Sequence, residues 1–340
     1  MSGKGVTLRG APTHEVLRRS WGPARLAFMR LSTVFTLAFL GCAPSITPQD
    51  AGAGDAGTTL PDAGAAQGDA GINAGNSLIQ GGHDVLFVGN SYIYVNDVPG
   101  RYRALADVTG PPPVRLESVV TGGYRLTQHA ADANTDGTPL ARWLRTGTPA
   151  DTAFDVVVLQ EQSQIGGFPE NNPDRVASLA GASELAALAR ARNAAVVLYL
   201  TWGREHGDDT NPGLFADFPA MQDRLDVGYQ AMATQLRAEG TVVRVAPVGP
   251  AFRVVFDQVT AAGADPTAEG SAFDALYDAD GSHPSSRGAY LAATVIFCTI
   301  TGANPRALPD GNDLDGPTST ALRDAAGMVL EDPAWSPWLR

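Results

Sequence analysis

Lysine occurs once, as Lys4, and cysteine twice, as Cys42 and Cys298. A chain with one lysine and 36 acidic against 24 basic residues is a poor match for a module that grips a phosphate backbone. Two cysteines cannot staple a small fold, and no Cys-x-x-Cys pair offers a zinc site. No apolar run reaches the roughly 18 residues that a membrane-spanning helix needs. Histidine is scarce too, with five copies, and their spacing from acidic residues suggests neither a metal nor another cofactor. What the 340 residues do supply is a 44% apolar fraction, enough for a sizeable core.

Composition is uneven along the chain. Residues 1–41 carry six basic residues (Lys4, Arg9, Arg18, Arg19, Arg25, Arg30) and one acid, Glu15. An apolar stretch from Leu31 to Leu40 follows, and then Gly41 and Cys42. A basic start, a short apolar run and a small residue before the cut read as a secretory signal. With Cys42 next, the segment resembles a bacterial lipoprotein signal, although Phe39 stands where leucine is usual. The resemblance implies that Cys42 becomes the lipidated first residue. The protein would then be extracytoplasmic and held to the membrane only by that anchor, on a periplasmic face or at the cell surface. Met29-Arg30 would also open a shorter signal, which would leave residues 1–28 untranslated. Cleavage before Cys42 leaves 18 basic and 35 acidic residues, a net charge near −17.

Residues 42–77 are mostly Ala, Gly, Asp, Pro and Thr, with Asp-Ala-Gly recurring four times. So few large apolar side chains cannot offset the entropy of ordering, and the segment reads as a disordered tether. Gly52-Ala-Gly54-Asp-Ala-Gly57 matches the dinucleotide fingerprint letter for letter, but no strand precedes it and no helix follows.

From residue 78 to 340 the pattern is that of one domain. Apolar runs at 84–89, 114–120, 155–159, 194–200 and 241–246 predict five strands. Helical patterns at 99–108, 175–192, 221–239, 284–301 and 318–330 alternate with them. Continuous apolar strands between helices predict a doubly wound parallel five-stranded sheet in a three-layer α/β/α sandwich. Ligands of such sheets bind at the carboxyl ends of the strands.

Those ends carry the chemistry. Gly89-Asn90-Ser91-Tyr92 follows the first strand. Ser91 there is either a helix cap or a nucleophile whose own N–H is free for an oxyanion. Gly122-Gly123 follows the second strand, and a glycine lets backbone approach a ligand closely. Gln160-Glu161-Gln162-Ser163 follows the third, where an uncharged amide could stabilise a developing oxyanion. Before the last helices, Asp280-Gly281-Ser282-His283 places a carboxylate three residues ahead of an imidazole it can orient. Of the five histidines, only His283 has both such a partner and a strand-end serine to serve. Cys298, in an apolar run, reads as a buried small hydrophobe.

Taken together, these blocks resemble the SGNH/GDSL hydrolase superfamily over about residues 80–335. Gly89-Asn90-Ser91 resembles its nucleophile block, Gly123 its second-block glycine and Asp280-x-x-His283 its last block. The third block departs: Gln160-Glu161-Gln162-Ser163 replaces the usual Gly-x-Asn-Asp, as in a divergent branch that also has a Thr-Trp after strand four, here Thr201-Trp202, and a Pro-Val-Gly after strand five, here Pro247–Gly249. The resemblance implies a flavodoxin-like SGNH fold and a serine esterase with a Ser91–His283–Asp280 triad. The oxyanion hole would comprise the N–H groups of Ser91 and Gly123 and an amide from Gln162, or from Gln160 if the block shifts.

The implied substrate is a short-acyl ester, acetyl above all, on a small molecule or a glycan. Trp202 and Tyr92 are candidate substrate contacts, since aromatic faces suit sugar rings. Arg204, Glu205 and His206 lie in a polar segment over the same strand ends. Two other readings stand beside this one: a non-catalytic carbohydrate-binding relative, and a lipase or phospholipase of the same superfamily.

Overall fold

Five strands align in parallel, in the order β2-β1-β3-β4-β5. They are β1 (Asp84–Gly89), β2 (Arg115–Val120), β3 (Val156–Leu159), β4 (Ala195–Leu200) and β5 (Val243–Pro247). The computed structural model describes residues 77–79, 81–110, 115–148 and 154–340. The expected signal segment, Cys42 and all of the tether but Ser77 lie outside the described residues.

The apolar runs became strands because both faces of the sheet are covered. Every residue of Val156–Leu159 is fully buried, and so are both alternating sets of side chains along Val85–Val88 and Val196–Leu200. The edge strand β2 is only half-buried, which accounts for its weaker sequence pattern. Register places Val88 opposite Val119 on one side and Leu159 on the other, so β1, β2 and β3 end side by side. The order 2-1-3-4-5 is the flavodoxin-like one. From β1 the chain first adds β2 on one side and then β3 on the other, which opens a crevice above the carboxyl end of β1.

The helices are α1 (Ser91–Tyr94), α2 (Val98–Thr109), α3 (Leu126–Asn134), α4 (Pro173–Ala191), α5 (Phe218–Ala238), α6 (Val248–Ala261), α7 (Ser286–Thr301) and α8 (Gly316–Glu331), with shorter turns between them. α3, α4 and α5 pack in succession, and α2 packs on α7, against which α8 also lies. Cys298 of α7 is buried, as expected, and burial pushes its thiol up. None of the described helices is long and apolar enough to cross a membrane.

Three features differ from the sequence expectation. α3 and α6 were not anticipated. The last motif does not open its helix either, because α7 begins at Ser286 with Ser285 as its cap. Pro284 pairs instead with Tyr277 in an isolated antiparallel bridge. A residue before proline is driven out of the helical region, so Asp280–His283 forms a rigid turn ahead of the helix.

Candidate active site

Ser91 is the first residue of α1, directly after the β1 turn. The helix is capped not by Ser91 but by Asn90, whose side chain accepts from the Tyr92 N–H at 3.2 Å. Asn90 is further held by its own N–H to Gln160 Oε1 (2.8 Å) and by its amide to the Tyr124 carbonyl (2.9 Å). With capping done by its neighbour, the Ser91 hydroxyl is left to other work. It lies 2.8 Å from His283 Nε2. On the far side of the ring, Nδ1 is 2.5 Å from Asp280 Oδ2. The other carboxylate oxygen, Oδ1, accepts the N–H groups of Ser282 and His283, each at 2.9 Å. One carboxylate thus orients the ring and fixes the turn that carries it. Partial burial would lift the Asp280 carboxyl, but the bonds from His283 and the two backbone N–H groups outweigh it and hold the group below the usual carboxylate range. Asp280 therefore stays ionised at neutral pH, which fixes the proton on Nδ1 and leaves Nε2 as an acceptor for the serine proton.

Gly123 follows β2 with φ +71°, a conformation that favours glycine. Among the described residues, neither the Gly123 N–H nor the Ser91 N–H donates to a protein acceptor. Both therefore meet the requirement for oxyanion donors at adjacent strand ends. Gln162 follows β3, half-buried, its side chain paired with Gln164 through Oε1 (2.9 Å) and Nε2 (3.2 Å), which leaves one amide hydrogen unused. Gln160 does not suit the same role. It is fully buried beneath the nucleophile turn, with Oε1 on the Asn90 N–H and Nε2 on the Glu161 carbonyl.

The two aromatic candidates need correction. Trp202 is fully buried and Tyr92 is 3% exposed. Trp202 is sandwiched between Tyr92 (centroids 4.8 Å, interplanar angle 3°) and Phe252 (4.5 Å, 4°), so neither of its faces is open to a sugar. Phe252 comes from α6, the helix the sequence pattern missed. The stack supports the catalytic turn instead. Trp202 Nε1 donates to the Ser282 carbonyl at 3.0 Å, the Tyr92 hydroxyl is 2.7 Å from Ser282 Oγ, and the Tyr92 ring meets His283 edge-on at 5.5 Å. Such aromatic contacts are worth about 0.5–1.5 kcal/mol each beyond burial, so pulling Trp202 out to meet a ligand would be costly.

The polar segment after β4 is also more structural than expected. Asp208 is buried and gathers Arg204 (2.8 Å), Thr210, Asn211 and Gln164, tying this loop to the one after β3. Glu205 is buried with its N–H on the Gly281 carbonyl (2.9 Å), while the His206 side chain is 67% exposed. Sequence reasoning missed Tyr94, an exposed aromatic whose hydroxyl lies 3.1 Å from where a Cβ on Gly122 would stand. Its position three residues after Ser91, on the same turn, was the available signal.

His129, from the unanticipated α3, is fully buried under the nucleophile turn, where Nε2 donates to the Gly89 carbonyl at 2.8 Å. Its Nδ1 has no partner among the described residues. Burial lowers its pKa below the ordinary 6.5, only partly offset by the Gly89 bond. The unfolded chain therefore takes up a proton below about pH 6.5 that the folded chain resists. Stability from this group is present above pH 6.5 and is lost as pH falls toward the lowered folded value. His83 is shifted in the same direction and adds to the slope. The expected outcome is that His129→Gln flattens, without abolishing, the fall of the thermal midpoint between pH 7 and pH 5 in differential scanning calorimetry. A slope identical to wild type would refute this role.

No family model and no curated protein matches the chain. Solved structures do. A DUF4886 family protein from Bacteroides uniformis is 19% identical, with a TM-score of 0.55 over 74% of this chain and 95% of that one. A Slackia heliotrinireducens protein described as a candidate SGNH hydrolase is 26% identical, with a TM-score of 0.48 over 64% of this chain and 97% of that one. An acetylxylan esterase from Geobacillus stearothermophilus is 16% identical, with a TM-score of 0.40 over 66% and 96%. The likeness to the DUF4886 family protein is one of fold, the parallel five-stranded sheet flanked by helices.

Proposed function

We propose that this chain is a serine esterase of the SGNH/GDSL type that removes short acyl groups, acetyl first, from a small-molecule or glycan ester. The observation that carries this reading is the continuous Ser91–His283–Asp280 hydrogen-bond chain at the end of β1. Ser91 Oγ attacks the ester carbonyl as His283 Nε2 takes its proton. The tetrahedral oxyanion is received by the N–H groups of Ser91 and Gly123, with Gln162 as the side-chain donor. The imidazolium, stabilised by Asp280, then protonates the departing alcohol. A water activated by the same ring releases the acid and regenerates Ser91.

Short acyl groups are favoured by the setting. The catalytic residues stand in a polar, solvent-open setting: the side chains of His283 and Asp280 are 31% and 50% exposed. In this proposal the signal segment and Cys42 place the enzyme outside the cytoplasm on a lipid anchor, with residues 42–77 as the spacer. The test is a chain-length series. Residues 78–340 are expected to hydrolyse p-nitrophenyl acetate with a higher kcat/KM than the butyrate or octanoate ester, and to release acetate from an acetylated oligosaccharide. A preference for octanoate would instead favour the lipase reading.

A further inference from the structure

Glu161, just after β3, is a carboxylate with both oxygens engaged, and the mechanism above gives it no task. It is fully buried between two parts of the oxyanion site. Its Oε1 accepts the Gln162 N–H at 2.6 Å. The Leu126 N–H, at the first turn of α3, lies 3.2 Å from Oε1 and 3.3 Å from Oε2. Oε2 also receives the Ser178 hydroxyl from α4. Ser178 can reach because α4 lies hard against the start of α3. A Cβ on Gly181, one turn along α4, would sit 2.7 Å from the Thr127 nitrogen and 2.8 Å from the Leu126 carbonyl carbon, so only glycine fits there.

These contacts join two segments that are distant in sequence. Leu126 lies three residues beyond Gly123, and Gln162 is the next residue after Glu161. We infer that Glu161 is the positioning residue of the oxyanion hole, its buried carboxylate fixing the Gly123 donor on the α3 side against the Gln162 donor on the β3 side. The inference rests on the esterase reading of Ser91. The Ser178, Gln162 and Leu126 donors each aim a hydrogen at a carboxylate oxygen, as the clamp requires. Burial pushes the Glu161 carboxyl above its ordinary value, and these donors and the nearby Arg125 charge offset that only in part. The amino end of α3 adds a favourable dipole. The other titratable neighbour is Tyr229 of α5.

An amide in place of the carboxylate keeps the shape but turns one acceptor into a donor aimed at a backbone N–H. The expected result for Glu161→Gln is a fall in kcat of about 10- to 100-fold on p-nitrophenyl acetate, with KM within about twofold of wild type, because an oxyanion donor acts mainly in the transition state. Ser178→Ala, which removes a single donor to the carboxylate, is expected to lower kcat several-fold with the same constancy of KM, and it serves where Glu161→Gln does not fold. Wild type and Ser91→Ala are run alongside. Ser91-dependent wild-type turnover with unchanged kcat in Glu161→Gln, or in Ser178→Ala if only that variant folds, overturns the role of Glu161 alone. Wild-type turnover that survives Ser91→Ala overturns the esterase reading and the inference with it.

Discussion

Ser91→Ala is expected to reduce kcat for p-nitrophenyl acetate by at least about 10⁴-fold, leaving a residue of activity from the oxyanion donors and His283 acting on water. The size of the effect follows from what the hydroxyl does and does not do in the fold. Asn90, not Ser91, caps α1, and the Ser91 hydroxyl makes its hydrogen bond to His283. Its removal therefore takes away the nucleophile without touching a structural bond of the turn. The thermal midpoint is expected to stay within the range typical of neutral surface substitutions, about ±0.5 kcal/mol in stability. A variant that loses activity and stability together would mean that the hydroxyl holds the turn rather than attacks the ester.

The second large effect concerns Asp280, and here the two obvious replacements separate. Asp280 Oδ1 is claimed by the N–H groups of Ser282 and His283. In Asp280→Asn, the oxygen must stay at that position, since an amide NH₂ cannot accept those donors. The NH₂ then faces His283 Nδ1 and donates to it. Nδ1 becomes an acceptor, the ring proton moves to Nε2, and Nε2 can no longer accept the Ser91 proton. A loss of about 10⁴-fold in kcat is expected, the magnitude known for the same tautomer error in a serine protease triad. Asp280→Ala lacks the misdirecting donor and leaves the ring free to adopt the productive tautomer. The alanine variant is therefore expected to retain more activity than the asparagine variant, even though it loses the carboxylate oxygen that accepts two backbone N–H groups. Steady-state kinetics on the pair decides the point. Asparagine outperforming alanine would mean that the carboxylate acts by holding the turn rather than by setting the tautomer.

The fold was legible where one physical cause dominates. Val156–Leu159 and Val196–Leu200 read as strands because burial on both faces demands continuous apolar side chains. α6 was not legible. It starts from Pro247 without a side-chain cap, and its β-branched residues, such as Val248, Val254 and Val255, are weak helix formers. It is helical because tertiary packing requires it: Gly249 is pressed so close to Thr201 that a Cβ would lie 2.2 Å from the carbonyl. The triad was legible for a different reason. Ser91, Asp280 and His283 sit in short local motifs whose chemistry can be read from spacing, and the structure brings them together.

Trp202 was misread because its position at a strand end is a local property, whereas the closure of its faces by Tyr92 and Phe252 is not. Glu161 is the clearest case of information that spacing cannot carry. Its partners Ser178 and Leu126 lie 17 and 35 residues away and meet it only through the packing of α3 against α4.

The most direct test of Ser91 as an activated nucleophile is mass spectrometry of residues 78–340 after exposure to a fluorophosphonate. The expected result is a single adduct mapped to the peptide containing Asn90-Ser91-Tyr92, absent from Ser91→Ala and much slower to form in His283→Ala. A native protein that acquires no adduct, or acquires one on another residue with Ser91 left unmodified, would contradict the account.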